Sequence, residues 1–245
     1  MKLLVFQHIP CEHPGIFRKF LQEDGISWDA IELDAGETIP PLDRYDMLWA
    51  MGGPMDVWDL EECPWLVAEK QAIRKWVREL RRPFLGVCLG HQLLADALNG
   101  TCGPQRPPEV GILDVELTEA GKADPVFGSL PHRAKALQWH SVRVAQAPED
   151  AVVLAKSGVC PIQAMRIGSN TYSMQYHVEL EPETIPAWGC VPAYEQALEA
   201  TRGKGALAAL GREADPLMDG FIANARILYS NFMAAARKAP IQGRS

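Results

Sequence analysis

The chain contains no apolar run long enough to cross a membrane, for which about 18 consecutive residues are needed. It also lacks the pattern of a secretory signal peptide, because Met1 and Lys2 lead into a short apolar stretch that polar residues follow. Both absences argue against a membrane or secreted protein. We therefore expect a cytoplasmic protein of ordinary globular composition.

Closely spaced cysteine pairs are also missing. The six cysteines stand at positions 11, 63, 88, 102, 160 and 190, with no CxxC motif or other short pairing. Such a scatter predicts neither a zinc site nor a disulfide framework. We expect no metal and no organic cofactor.

Positive charge is scarce: 24 Lys and Arg residues face 31 Asp and Glu residues, which gives a net charge of −7. The densest basic stretch, residues 74–82, includes Trp76, Val77 and Leu80 and is typical of a solvated helix face. A nucleic-acid partner is therefore not expected. The chain also lacks a P-loop or second glycine-rich phosphate loop that would hold ATP.

The most informative motif lies where an apolar run breaks at G-x-C-x-G, with Gly86 and Gly90 on either side of Cys88. This spacing is typical of a nucleophile elbow, a tight strand-to-helix turn that exposes its central side chain. Glycines relieve clashes in so sharp a bend. A helix N-terminus beneath the thiol favours the thiolate, which is the nucleophilic form. Cys88 is therefore the candidate nucleophile.

A base for Cys88 is found in the strand-like segment 171–179, which contains His177 and Glu179. Side chains two apart in a strand point to the same face, so Glu179 is predicted to hold the His177 ring. A histidine that faces a cysteine and is oriented by a carboxylate forms a catalytic triad. His140 is the rival base, but the position two residues later is Val142, and nothing local would orient it.

These motifs resemble those of the class I, triad-type glutamine amidotransferase family. The family's G-x-C-x-G-x-Q turn is matched here through Gln92, and its Q-[FY]-H-P-E motif is matched by residues 175–179 except at Val178, where the family usually carries proline. A G-G-P loop at residues 52–54 is a third match. The likeness is greatest to free-standing members related to the glutaminase domain of GMP synthetase.

The resemblance implies roles for five further residues. The backbone N–H groups of Gly53 and Leu89 would form an oxyanion hole, and Gln92 would contact the substrate. The segment 139–142 resembles a family loop whose backbone holds the amino-acid end of glutamine, which implicates Ser141 and Val142. The expected fold is α/β and flavodoxin-like, a mostly parallel sheet flanked by helices with added antiparallel strands and C-terminal helices.

Patterning along the chain agrees with that fold. Strands are predicted at residues 2–7, 26–33, 46–51 and up to Cys88, and helices at 14–23, 64–80 and from the elbow to Asn99-Gly100. Such alternation predicts a parallel sheet wrapped by helices. After Glu109, alternating segments predict antiparallel or edge strands, and residues beyond 183 are predicted to be helical. We predict one domain over residues 1–238 and a flexible tail over 239–245.

Three functions remain open. The protein could be a glutaminase subunit that supplies ammonia to a synthetase in trans, since no acceptor domain is evident. It could be a self-sufficient hydrolase of γ-glutamyl peptides or conjugates. It could also be a binding module that has lost turnover. In each case the expected ligand is glutamine or a γ-glutamyl compound.

Overall fold

A computed structural model describes residues 1–238, and the predicted tail at 239–245 lies outside the described residues. The strands in chain order are β1 (Lys2–Gln7), β2 (Ser27–Glu32), β3 (Met47–Ala50), β4 (Phe84–Val87), β5 (Thr101–Leu117), β6 (Arg133–Gln146), β7 (Ala151–Lys156), β8 (Ala164–Ile167) and β9 (Thr171–Met174). They form one sheet in the order β2-β1-β3-β4-β9-β8-β7-β5-β6.

Helices cover both faces of this sheet. They are α1 (Phe17–Glu23), α2 (Trp65–Lys75), α3 (Leu89–Ala97), α4 (Glu119–Lys122), α5 (Thr184–Trp188), α6 (Pro192–Arg202), α7 (Ala206–Ala214) and α8 (Met218–Lys238). A π-helical turn at Trp76–Leu80 continues α2. In the part of the chain described, we find no helix with the length and hydropathy of a membrane span.

The inner strands of the parallel half are buried on both faces, whereas the edge strand β2 is partly exposed. Strands β2, β1, β3, β4 and β9 pair in parallel. Leu3 and Val5 pack with α1 and α8 on one face, whereas Leu4 and Phe6 pack with α2 and α3 on the other. Because successive strand residues point to opposite faces, a doubly buried strand is apolar throughout. The predicted parallel sheet with helices on both sides is confirmed.

The other half of the sheet is antiparallel, which confirms the second expectation. Strand β5 nevertheless begins at Thr101, well before the predicted start near Glu109. The early part contains Pro104, Pro107 and Pro108, and proline argues against a regular strand. A register shift between Pro104 and Glu109 accommodates this irregular stretch in the pairing with β6.

Strand β9 is shorter than predicted, since it ends at Met174 rather than at residue 179. The Gln175 N–H donates to the Gln163 oxygen at 2.8 Å, and the His177 N–H donates to the Leu137 oxygen at 2.9 Å. The chain thus leaves β4 and crosses to β6, so the segment that carries His177 lies beyond the carboxyl ends of the parallel strands.

Candidate active site

Cys88 stands on a sharp turn between β4 and α3. Its φ of 52° and ψ of −105° form a backbone conformation that residues with side chains rarely adopt. A Cβ at Gly86 would lie 2.6 Å from the Gly90 oxygen, and one at Gly90 would overlap the Ala50 oxygen. Both glycines are therefore required by close backbone approach, which is the local reason why this sequence forms an elbow.

His177 and Glu179 are in direct contact and are almost fully buried. His177 Nδ1 lies 2.7 Å from Glu179 Oε1, and Glu179 Oε2 accepts the Val178 N–H at 2.8 Å. The predicted pairing is present, but the reason given from strand alternation is wrong, because neither residue belongs to β9. The turn that follows the strand brings the carboxylate to the ring.

The surroundings of His177 stabilise the imidazolium that forms when the ring takes up a proton. Burial lowers the pKa of His177, but the Glu179 carboxylate and the Cys88 sulfur raise it, and the net pKa is well above the usual histidine value. The Trp188 ring packs edge-on against His177 with 4.4 Å between ring centroids. An imidazole between a thiol and a carboxylate can take up and return a proton during nucleophilic attack.

Two glutamine side chains link the nucleophile to strand β6. Gln175 Nε2 donates to Cys88 Sγ over 3.7 Å. Gln92 Nε2 donates to Gln175 Oε1 and to the Val142 oxygen, both at 3.2 Å. Gln92 therefore braces the wall beside Cys88, in addition to the substrate contact that the sequence implied.

A cleft opens beside Cys88 at the carboxyl ends of the parallel strands. Six of the residues singled out from the sequence line it: Gly53, Cys88, Leu89, Gln92, Ser141 and Val142. His177 and Glu179 are not part of this lining. The cleft also receives Tyr194, together with Ala193 and Ala197, from α6.

Gly53 and Leu89 lie next to one another in this cleft. A Cβ at Gly53 would come 3.0 Å from Leu89 Cδ2, and the Gly90 N–H donates to the Met51 oxygen at 3.0 Å, which ties the start of α3 to the end of β3. Within residues 1–238 we find no acceptor bonded to the N–H of Gly53 or of Leu89. Both donors are thus unpaired in this part of the structure.

The segment 139–142 is part of strand β6 and is not the loop that the sequence suggested. The Val142 side chain is buried in the core, whereas Ser141 is exposed. The Val142 carbonyl oxygen accepts from Gln92 Nε2 at 3.2 Å and from His140 Nδ1 at 2.8 Å. Because the Val142 carbonyl oxygen already accepts two hydrogen bonds, it is not available to a ligand in the cleft.

Glu109 is a buried residue to which the sequence assigned no role. It lies opposite His140 in the pairing of β5 with β6, and its Oε2 is 3.1 Å from His140 Nε2. The hydrogen bonds to this carboxylate come from Ser157 Oγ and Gln163 Nε2, at 2.6 and 2.8 Å, whereas His140 Nε2 is near the carboxylate without a hydrogen bond. The expectation that nothing local orients His140 is corrected by the Val142 carbonyl oxygen, which lies 2.8 Å from Nδ1. The acid beside Nε2 comes from strand register, which the sequence does not display.

Glu12, and the contact that Tyr194 makes with it, were missed by sequence reasoning. Glu12 is 1% exposed, and Tyr194 Oη donates to its Oε1 at 2.5 Å across 182 positions of sequence. Burial raises the pKa of Glu12; nearby His177 lowers it, but the net pKa remains raised. Burial and the Glu12 carboxylate raise the pKa of Tyr194 as well. No sequence motif relates two single residues so far apart.

Glu12, His177 and Glu179 could also be considered as metal ligands, since one donor atom from each lies within 4.8 Å of the others. Both Glu179 oxygens are already engaged, however, by the His177 ring and the Val178 N–H. A metal would have to displace the contact that orients the imidazole. The donor set fits a triad better than a metal site.

Comparisons with known sequences relate this chain to one protein family. The sequence model of the family "Glutamine amidotransferase class-I" matches residues 21–186. The glutamine amidotransferase-like protein YfeJ of Salmonella typhimurium is 32% identical over 210 residues, which cover 83% of this chain and 85% of YfeJ. GMP synthase of Aeropyrum pernix is 34% identical over 152 residues, which cover 62% of this chain but only 27% of the synthase.

Two further similarities extend over most of both chains. Gamma-glutamyl peptidase 3 of Arabidopsis thaliana is 26% identical over 180 residues, which cover 70% of this chain and 71% of the peptidase. A crystal structure of a glutamine amidotransferase from Thermotoga maritima superposes with a TM-score of 0.84 at 26% identity, covering 95% of this chain and 97% of the other. This agreement confirms the α/β fold class with its antiparallel extension and C-terminal helices.

Proposed function

Because the chain belongs to the class I glutamine amidotransferase family, whose members typically hydrolyse glutamine, we propose that it cleaves a γ-glutamyl amide with Cys88 as nucleophile. One observation carries the proposal. The buried His177 ring contacts Glu179 at 2.7 Å and lies close enough to the Cys88 sulfur for that sulfur to raise the pKa of the ring, beside a cleft that Cys88 itself lines. Nucleophile, base and orienting acid are the three parts that thiol-based amide hydrolysis needs.

In the proposed reaction, His177 accepts the Cys88 proton and the thiolate attacks the γ-carbonyl carbon. The carbonyl oxygen becomes an oxyanion that the N–H groups of Gly53 and Leu89 stabilise. Collapse breaks the C–N bond, and His177 returns the proton to the leaving nitrogen. Water, deprotonated by His177, then hydrolyses the γ-glutamyl thioester, which releases glutamate and restores the thiol. Loss of one oxyanion donor typically lowers kcat about 10²- to 10³-fold.

The amino-acid end of the substrate would lie along the wall formed by Gln92, Ser141 and Val142. All three line the cleft with Cys88. Gln92 is held by its contacts with Gln175 and Val142, so it would present a rigid surface to the ligand. No metal and no organic cofactor takes part in this scheme.

The fate of the leaving nitrogen separates two forms of the proposal. With glutamine the product is ammonia, which a glutaminase subunit would pass to a synthetase in trans; the Aeropyrum pernix relative is named a glutamine-hydrolysing GMP synthase. With a γ-glutamyl peptide the product is a larger amine and no synthetase is needed. A relative of each kind is matched, γ-glutamyl peptidase 3 over 71% of its length and the synthase over 27%, so the order of substrates in the assay below decides between the two forms.

Glutamate release by the purified protein, from glutamine and from a panel of γ-glutamyl dipeptides, tests the proposal. We expect release to vanish in Cys88→Ala and to persist in Cys190→Ala, which removes a free, exposed cysteine. Faster cleavage of dipeptides than of glutamine would identify a self-sufficient hydrolase, and the reverse order a glutaminase. A folded wild-type protein that binds a γ-glutamyl ligand but forms no thioester would instead be a binding module.

A further inference from the structure

A second histidine–carboxylate pair lies buried beside the cleft. His8 follows β1 and Glu69 belongs to α2, and neither side chain is exposed to solvent. His8 Nε2 lies 3.0 Å from Glu69 Oε1 and 3.1 Å from Glu69 Oε2. The Trp65 ring stacks on the imidazole with 5.5 Å between centroids and an angle of 18°. The ring is therefore fixed in position and in orientation.

The other nitrogen of this ring faces the loop that follows β3. His8 Nδ1 lies 2.7 Å from the Gly52 carbonyl oxygen. A carboxylate and a carbonyl oxygen only accept hydrogen bonds, so both ring nitrogens carry protons and both donate. Burial lowers the pKa of His8, but Glu69 and the contact with Gly52 raise it, and the net pKa is raised.

The bond to the Gly52 oxygen determines where the next N–H points. The Gly52–Gly53 peptide is trans, and in a trans peptide the carbonyl and the N–H point in opposite directions. The carbonyl is directed at His8, so the Gly53 N–H is directed to the other side of the peptide, where Gly53 lines the cleft with Cys88. Glu12 packs so closely against Gly52 that a Cβ there would overlap its carboxylate.

Glycine pairs are otherwise free to reorient, because both residues populate backbone conformations closed to other side chains. A buried ion pair is in turn weak evidence for stability, since well-packed apolar residues often stabilise a core as well or better. The buried pair of His8 and Glu69 is therefore better explained by the group that it positions than by its contribution to stability. The held group is the peptide that supplies one of the two oxyanion donors proposed above.

We propose that His8, held by Glu69, is a positioning residue that fixes the Gly52–Gly53 peptide so that the Gly53 N–H faces the oxyanion. The inference rests on the proposed hydrolysis for its catalytic consequence. The structural claim, that a buried histidine orients this peptide, can be tested whether or not the protein turns over a substrate.

Two variants of His8 test the inference because each retains one of its contacts. The amide nitrogen of asparagine occupies nearly the position of Nδ1, so His8→Asn keeps the donor to Gly52 and loses Glu69. The amide of glutamine reaches nearly to Nε2, so His8→Gln keeps a partner for Glu69 and loses the donor to Gly52. We expect kcat to fall about 10²-fold in His8→Gln, with KM little changed, and to stay within about tenfold of wild type in His8→Asn.

A merely structural role predicts the reverse order of activities. His8→Asn leaves Glu69 buried without a partner and should unfold at a lower temperature than His8→Gln. If kcat follows thermal stability, or if both variants lose activity equally, the inference is overturned. Alkylation of Cys88 by iodoacetamide, which develops no oxyanion, should proceed at the wild-type rate in both variants. Slowed alkylation in His8→Gln would show damage to the nucleophile instead.

Crystal structures of the two variants separate this inference from the proposed function. We expect the Gly52–Gly53 peptide to keep its orientation in His8→Asn. In His8→Gln we expect the plane of this peptide to flip. An unchanged peptide in His8→Gln overturns the inference even if the wild-type enzyme is active. A wild-type protein that releases no glutamate would refute the proposed hydrolysis, and the peptide orientation would then decide the inference alone.

Discussion

Individual histidines in this protein cannot be assigned a role from their acidic partners. Three buried histidines each lie beside a buried glutamate: His8 beside Glu69, His140 beside Glu109 and His177 beside Glu179. The second ring nitrogen distinguishes them. In His8 and His140 it faces a backbone carbonyl oxygen, whereas His177 interacts with the Cys88 sulfur. Our assignment of His177 as the base depends on that contact.

Replacing Glu179 tests the same residue pair. Glu179→Gln keeps the size of the side chain and removes its charge, so burial should then dominate and lower the pKa of His177. A neutral amide can also stabilise the wrong tautomer, and we expect kcat to fall about 10²- to 10⁴-fold. Steady-state kinetics and an NMR titration of His177 measure the two effects. Glu183→Gln, an exposed neighbour, is the matched control; an unchanged His177 pKa in Glu179→Gln would contradict the assignment.

At the scale of single elements, the elbow between β4 and α3 places Cys88 in a strained conformation, with φ of 52° and ψ of −105°. Strain of this kind costs about 1–3 kcal/mol. At ordinary positions Gly is less stable than Ala, but here glycine relieves the strain. We expect Cys88→Gly to be more stable than Cys88→Ala by about 1 kcal/mol. Urea unfolding of the two inactive variants measures the difference, and the opposite order would refute the strain.

The turn after β9 makes a second prediction. The Val178 N–H donates to Glu179 Oε2 at 2.8 Å, a bond that proline cannot make. We expect Val178→Pro, which restores the usual family residue, to lower kcat because the carboxylate loses a charge-assisted bond worth about 1.5–3 kcal/mol. Val178→Ala keeps the N–H and should remain near wild type. Equal activity of the two variants would show that this bond does not orient Glu179.

Sequence patterns predicted those elements whose signal is local. The elbow glycines predicted the turn at Cys88, and Asn99-Gly100 predicted the end of α3, where Asn99 has a φ of 69° and the Gly100 N–H donates to the Ala95 oxygen at 2.8 Å. Contacts set by strand register or distant helices were not predicted. Glu109 reaches His140 only through the β5–β6 pairing, and Tyr194 reaches Glu12 only because α6 folds back over the cleft.

At the scale of the whole molecule, helices α5 and α6 are joined to the loop after β1 above the candidate site. Tyr194 bonds to Glu12 at 2.5 Å, and Trp188 bonds through Nε1 to the Cys11 oxygen at 3.3 Å. Glu12 Oε2 has no hydrogen-bond partner among residues 1–238. Burial raises the pKa of Glu12 in the fold, so the folded protein holds this proton to a higher pH than the unfolded chain does.

The pH dependence of folding follows from that shift. A group whose pKa is raised on folding contributes stability that is fully present below its unfolded-state pKa and is lost as pH rises through its folded-state pKa. Glu12→Gln stays neutral at every pH. We therefore expect it to match wild type near pH 4 and to unfold at a higher temperature than wild type near pH 8. Thermal unfolding across this range is the measurement, and a difference independent of pH would contradict the buried charge.

The interpretation of residues 1–238 as one domain stays a prediction, yet the placement of the site has a practical consequence. The stretch that matches the family, residues 21–186, includes Cys88, His177 and Glu179 but leaves out His8, Glu12 and Tyr194. A chimera that grafted only this stretch onto a foreign scaffold would carry every signature motif and still lack the side chains that close the site. A segment meant to transfer the proposed activity to another scaffold must therefore include β1 and α6.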